Sequence, residues 1–306
     1  MISSTALRYF AEVTRCGSFR AAAEHLFVAP SAISRQIALL EEEIGAPLLE
    51  RGRGRTALRL TAAGEILMRH AKDVDNELLR VRSDIESLKG LRKGEIRFGV
   101  PETFSRDYIP EFLTRFSTQY PGVTYHVHVA GTPRLLAMVA ADELDASLSF
   151  NPSPVADVRH IFERALPTCV IVPRSHPLAH RASLRLSDCA DYGLALPDVS
   201  ISAKRIYDDM FAKAKIRPRP VLISNSYELL RSASAAGLSI SLVNQPLNYR
   251  PSDADSFRYI PLNDPRVKPQ RFTLCVREGR NLPIAALTFI DQLQREFALQ
   301  EQLATP

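Results

Sequence analysis

The stretch GSFRAAAEHLFVAPSAISRQ, Gly17 to Gln36, decides how this chain begins. Gly17 closes an apolar-periodic run through Leu7, Phe10 and Val13, and Ser18 stands where a helix N-cap is wanted. Ala21, Ala22 and Leu26 form a narrow apolar stripe at helical spacing, and alanine lets a second helix approach closely. Phe27 and Val28 are expected to fill a tight turn. Pro30 then opens the next helix, where its missing N–H costs nothing. That helix buries Ile33 and Ile37 and turns Ser31, Ser34, Arg35 and Gln36 outward. Short hydroxyls, an amide and a guanidinium can reach base edges and phosphates from a helix in the major groove. The spacing predicts a helix-turn-helix.

Downstream, EEEIGAPLLE (Glu41 to Glu50) runs into Arg51-Gly52-Arg53-Gly54-Arg55, and LTAAG follows from Leu60 to Gly64. With Arg59, four arginines lie within nine residues and no acidic side chain interrupts them. The glycines between them permit a tight hairpin. These segments together resemble the winged helix-turn-helix of the LysR-type transcriptional regulators. The likeness rests on ISRQI, the EEEIG turn and the LTAAG opening of a linker helix. The recognition helix enters as VAPSAIS, where that family more often has serine, glutamine and proline in place of Ala29, Pro30 and Ser31. The resemblance implies that Ser18, Ser31, Ser34, Arg35 and Gln36 meet DNA at the major groove. Arg51, Arg53 and Arg55 would hold the backbone or enter the minor groove.

A long helix is predicted from about Ala62 to Leu88. Leu67, Ala71, Val74, Leu78, Val81, Ile85 and Leu88 alternate spacings of four and three, which is a heptad seam. Arg69, Lys72, Asp73, Asp75, Glu77, Arg80, Arg82 and Asp84 between them form a mixed, solvated face. A single helix packed on its own domain is the plainer reading. The seam is narrow, however, and a helix this long on a small domain has nothing else to bury it. A homodimer is therefore expected, and the resemblance also allows a homotetramer. Two recognition helices related by a two-fold axis would read an imperfect inverted repeat near a promoter.

After Leu91-Arg92-Lys93-Gly94 the texture changes. Strands are predicted at 95–100, 123–130, 146–150, 168–172, 221–223, 239–243 and 272–276. Helices are predicted at 108–119, 133–141, 204–215, 227–236 and 284–297. Strands alternating with helices at these lengths predict a mostly parallel sheet covered on both faces. This half resembles the two-lobed, periplasmic-binding-protein-like effector domain of the same family. The carrying residues are the YPGV turn, Asp142-Glu143-Leu144-Asp145, His176-Pro177-Leu178-Ala179 and Ala235-Ala236-Gly237-Leu238. Where the family usually reads glycine and then proline near the following strand, this chain has Ser239 and Asn244.

The expected class is α plus α/β. It comprises a winged helix-turn-helix (1–61), a linker dimerisation helix (62–91) and a two-lobed effector domain (92–306). Lobe I is placed at about 95–167 with 270–306, and lobe II at about 168–269. Small molecules bind such sheets in the crevice outside the carboxyl ends of the strands. Thr103 and Ser105 follow the first strand, Gly131 and Thr132 the second, and Ser200 with Ser202 precede a helix. Helix N-terminal N–H groups beside hydroxyls suit an anion such as a carboxylate, although each hydroxyl is also an ordinary cap. Phe150 and Asn151 are placed near the crossover between lobes.

Composition fits a soluble cytoplasmic protein. The chain has 306 residues, 45% of them hydrophobic, with a formal net charge of +5. There is no run of eighteen apolar residues, and MISSTALRYFAE reads as a helix opening rather than a signal peptide. Cys16, Cys169, Cys189 and Cys275 lack CxxC spacing and are expected to pack as small hydrophobes. Residues 1–91 carry 13 basic against 12 acidic side chains, so placement rather than net charge carries the DNA signal. His126-x-His128 shares a strand face but has no further ligand at zinc spacing. No GxSxG elbow, Walker or dinucleotide glycine pattern occurs, so neither a cofactor nor an enzyme is expected.

These features read as a transcriptional regulator of double-stranded DNA that senses a small, anionic metabolite, with RNA polymerase a further partner and no membrane. Two alternatives stay open: a DNA-binding regulator whose second half only oligomerises, and a cytosolic solute-binding module or enzyme on the same scaffold.

Overall fold

Close helix approach at alanines and an apolar face of period 3.6 produce three packed helices in the computed structural model. They are α1 (Ser4–Cys16), α2 (Phe19–Leu26) and α3 (Pro30–Ile44). The structure describes residues 3–50, 58–87, 93–106, 108–201, 203–249 and 255–304. Gly17 ends α1 at φ 63°, in the left-handed region that glycine enters without strain. Ser18 caps α2, its hydroxyl accepting from the Ala21 N–H at 3.4 Å. Phe10, Val13, Ala22, Ile33, Ile37, Leu40 and Leu48 are buried together as one core. One turn residue departs from expectation. Phe27 is left-handed (φ 56°) and 95% exposed, because that conformation swings its Cβ away from the core; Val28 alone packs inward.

The wing begins with β1 (Leu49–Glu50) paired antiparallel to β2 (Arg59–Leu60). Glu41 Oε1 fixes the approach by accepting from the Leu48 N–H at 2.7 Å. Arg51, Arg53 and Arg55 lie between the two strands, outside the described residues. Thr61 then starts α4 (Ala62–Ser87), donating to the Pro47 carbonyl at 2.7 Å and accepting from the Gly64 N–H at 3.0 Å. A Cβ on Gly64 would sit 2.1 Å from the Leu48 carbonyl oxygen, which is backbone and cannot swing away. Gly64→Ala is expected to cost the first unit about 1–3 kcal/mol, the range for overpacking. Thermal melting of that unit measures it, and an unchanged melt would contradict the close approach.

Along α4, Leu67 packs against the first core and Ala71 is buried. Val74, Leu78, Val81 and Ile85 then run out 46%, 53%, 47% and 55% exposed. Leu88, the last seam position, lies outside the described residues. The chain divides into two compact units, Met1–Arg82 and Ser83–Pro306.

The second unit holds two five-stranded sheets. Its chain order is β3 (Gly94–Val100), α5 (Glu102–Ser105), α6 (Tyr108–Gln119), β4 (Val123–Val129), α7 (Thr132–Ala140), β5 (Ala146–Phe150) and β6 (Val158–Leu166). Then come β7 (Thr168–Pro173), β8 (Gly193–Pro197), α8 (Ala203–Ala214), β9 (Arg219–Ser224), α9 (Tyr227–Ala235), β10 (Ile240–Asn244) and β11 (Phe257–Pro261). The last two elements are β12 (Gln270–Arg277) and α10 (Ile284–Ala304). One sheet has the order β4-β3-β5-β12-β6 and the other β11-β7-β10-β8-β9. Each core is a separate apolar cluster, the first rich in phenylalanine (Phe98, Phe112, Phe116, Phe289, Phe297).

Both sheets are mixed rather than mostly parallel. In the first, β3 pairs parallel with β4 and β5, while β12 runs antiparallel to β5 and β6. In the second, β8 pairs parallel with β9 and β10, while β7 runs antiparallel to β10 and β11. The cause is the route of the chain. It leaves the first sheet after β6 and re-enters it only as β12, so the returning strand arrives without a βαβ crossover.

Candidate functional site

Two features of the chain are arranged for recognition. On α3, Ile33, Ile37 and Leu40 turn inward and Ser31 and Arg35 are exposed, with Ser34 and Gln36 half-buried beside them. Ala29 supplies no side-chain cap, Pro30 has no N–H, and the Ala32 and Ile33 N–H groups bond the Ala29 carbonyl, so the Ser31 N–H is the first-turn donor that α3 can offer to an anion. Ser18 sits at the N-terminus of α2, its hydroxyl engaged in the cap.

The other feature is a cavity of about 340 Å³ in the second unit, between its two sheets. Its walls are the ends of parallel strands and the helix starts that follow them. The β3 end gives Pro101, Glu102 and Thr103, and the β4 end gives Val129 to Thr132. Phe150 closes β5. Opposite lie Ile201 and Ala203, then Asn225, Ser226 and Tyr227 before and at the start of α9, with Asn244 and Gln270. This is where an open α/β sheet presents its loops to a ligand.

Hydrogen bonds fix these walls. Thr132 Oγ1 accepts from the Phe150 N–H at 3.0 Å and donates to the Phe150 carbonyl at 3.1 Å, holding α7 to β5. The Glu102 carboxylate accepts from the Ser226 hydroxyl at 2.9 Å and from the Tyr227 N–H. It thereby occupies the positive end of α9. Tyr207 Oη donates to the Leu242 carbonyl at 3.1 Å and accepts from Gln270 Nε2 at 3.2 Å. Tyr227 Oη accepts from the Asn244 N–H at 3.0 Å. Burial pushes the Tyr207 phenol up to about 12 and the Tyr227 phenol well above its usual value, so both remain neutral. Tyr207→Phe strands a buried carbonyl and a buried amide; the expected loss is about 1–3 kcal/mol, read from urea unfolding.

Of the residues expected at this site, Thr103, Thr132 and Phe150 line the cavity. Ser105 and Ser200 do not: the Ser105 hydroxyl donates to the Glu102 carbonyl at 2.8 Å, and that of Ser200 to Asp198 Oδ1 at 2.6 Å. Both hydroxyls serve local turns. Ser202 lies outside the described residues. Sequence reasoning did not assign Glu102, Tyr227, Asn244 or Gln270 to the site, although Glu102 stands two residues beyond a predicted strand end and Asn244 departs from the family pattern.

Elsewhere the chemistry is quiet. Cys169, Cys189 and Cys275 are buried, and desolvation pushes each thiol up to about 12, which suppresses the reactive thiolate. His126 and His128 are exposed, and among the described residues no group of three His, Cys, Asp or Glu side chains could hold a metal. Among them, too, no helix is long and apolar enough to cross a membrane.

Residues 4–65 match the family described as "Bacterial regulatory helix-turn-helix protein, lysR family", and residues 89–298 match "LysR substrate binding domain". The chain is 27% identical over 297 residues to the HTH-type transcriptional activator CmpR of Synechocystis sp., covering 93% of this chain and 92% of that one. A full-length OxyR variant from Pseudomonas aeruginosa shares the fold at a TM-score of 0.68 and 23% identity, covering 96% of this chain and 98% of its own. Full-length CbnR, solved in complex with its target DNA, superposes at a TM-score of 0.65 and 21% identity, with 96% and 99% covered. The relatives in sequence are transcriptional regulators and not enzymes. A helix-turn-helix with an open recognition face, followed by a two-sheet domain that matches over more than half of the sequence, settles the assignment: the chain belongs to the LysR family of DNA-binding transcriptional regulators.

Proposed function

We propose that the protein binds an imperfect inverted repeat near a promoter as a dimer joined along α4, and that a small molecule in the 340 Å³ cavity adjusts that binding. The observation that carries the reading is the open face of α3, where Ser31 and Arg35 stand exposed beside an uncapped helix N-terminus. Support for the dimer comes from the exposed seam of Val74, Leu78, Val81 and Ile85, and a second copy of the same helix is its occupant. CbnR, the relative in fold solved with DNA, supports the mode of recognition. The setting is the cytoplasm, with RNA polymerase the further partner at the promoter. A ligand changes regulation only by binding one arrangement of the oligomer more tightly than another.

Selection of genomic DNA fragments by the purified protein, followed against salt, tests this reading. An enriched inverted repeat is the expected result; purely non-specific binding, steeply salt-dependent, would overturn it. Arg35→Ala should weaken the selected site by about 1–3 kcal/mol while leaving non-specific binding nearly unchanged. Equal loss on both kinds of DNA would reduce Arg35 to a phosphate contact. An anionic metabolite, the class expected from helix N-termini, would find open donors at the start of α7, where Gly131 gives no side-chain cap. The start of α9 is already taken by Glu102.

A further inference from the structure

The cavity wall has one charged side chain, Glu102, and no lysine, arginine or histidine among the described residues. Its carboxylate accepts from Ser226 and Tyr227, two neutral donors that leave its charge in place. A carboxylate has about four lone-pair positions, so acceptor capacity remains. The same wall holds Asn244, 3% exposed, whose Oδ1 has no hydrogen-bond partner. A buried amide oxygen without a donor is costly, and a ligand donor would remove that cost. Tyr227 links the two groups, giving its N–H to Glu102 and taking the Asn244 N–H on its hydroxyl. Basic side chains are gathered elsewhere, where Arg205, Lys268 and Arg271 line a separate depression.

From this lining we infer that the effector presents a cationic, hydrogen-donating group, an amine or guanidinium, to Glu102 and Asn244, and is not a simple carboxylate. The inference rests on the cavity being the effector site. An anion here would face a like charge across a partly desolvated space with only the start of α7 to offset it among the helix starts of this wall, because the N-terminus of α9 is already taken by Glu102. A cation gains the charge-assisted bond to Glu102 and supplies the donor that Asn244 lacks.

Thermal melting of the full-length protein with cadaverine, pentanediol and glutarate, which share one five-carbon skeleton, tests the charge. Millimolar cadaverine is expected to raise the melting temperature by roughly 5 °C at saturation, with the diol and the diacid without effect. Glu102→Gln should abolish the cadaverine shift. Asn244→Ala should weaken cadaverine roughly tenfold, the smaller end of the range for a bond to a charged group. Each variant's own ligand-free melt reports whether it folds, so one variant suffices if the other does not. A shift with glutarate and none with cadaverine would overturn the charge assignment while leaving the sensing role standing. A cadaverine shift that survives Glu102→Gln would place the binding elsewhere and also overturn it. No shift with any probe would defeat both the inference and the effector role of the cavity.

Discussion

Replacing Arg280 with methionine is expected to destabilise the second unit by about 3–5 kcal/mol, the cost of removing one partner from a buried ion pair. Arg280 lies between β12 and α10, and its side chain is 2% exposed. It donates to Asp145 Oδ1 at 2.8 Å and to the Leu144 carbonyl at 3.0 Å, and it pairs with Asp142. The two aspartate side chains are 1% and 3% exposed. Asp145 is also bound from the other side, by the Arg97 N–H at 2.7 Å and the Arg97 guanidinium at 3.2 Å. The DELD segment between α7 and β5 is thus pinned from two directions. Asp142 holds φ 58°, a conformation that a non-glycine residue keeps only when its surroundings fix it.

Methionine restores volume but removes the buried cation between the two carboxylates, leaving Asp145 to Arg97 and Asp142 to the longer contact with Arg277 at 3.9 Å. Urea unfolding followed at the second unit measures the loss, equivalent to a melting temperature lower by roughly 6–20 °C for a unit of this size. Because the residues form one network, Arg280→Met combined with Asp142→Asn should cost less than the sum of the separate changes. A loss under about 1 kcal/mol would mean that water reaches the site and that the pair is worth no more than a surface bridge.

Much of this architecture is legible in the amino-acid order because its apolar segments are bounded by turn-forming residues. The helix over 108–119 and the strand over 146–150 match the structure at both ends, since each carries a clean apolar period between strong breakers. The strands that escaped notice have physical reasons. β6 and β11 lie at sheet edges, where charged residues such as Arg159, Glu163 and Arg258 break the alternation that protects no buried face. β8 is a short apolar segment between Gly193 and Pro197, which reads as a loop.

The cavity was half legible. Turns after strands are visible in sequence, and Thr103, Thr132 and Phe150 follow from them. Whether a hydroxyl faces a cavity or closes its own turn depends on geometry of a few degrees, and Ser105 and Ser200 do the latter. Glu102 and Asn244 acquire meaning only once folding brings residues 102, 226, 227 and 244 onto one wall.

Leu78→Asp is expected to abolish dimerisation and, with it, to lower affinity for the operator by roughly 10²–10⁴-fold, the gain that linking two binding modules brings. The argument starts from area. Val74, Leu78, Val81 and Ile85 are about half exposed on a single chain, at spacings of four and three that keep them on one stripe of α4. Burying each against a second copy returns about 1.5–3 kcal/mol at full burial and proportionally less for a side chain already half covered. An aspartate at Leu78 enters the seam from both copies, so the substitution removes apolar area and adds two like charges to a desolvated strip. Sedimentation should show the variant as a monomer, and the slope of log affinity against log salt should fall toward half because one wing and one recognition helix contact the duplex. Leu78→Met, which keeps the volume and the apolar surface, should preserve both the dimer and the slope. If Leu78→Asp remains dimeric at micromolar concentration with an unchanged salt slope, the seam is not the interface, and the two recognition helices are held at their spacing by contacts within the second unit.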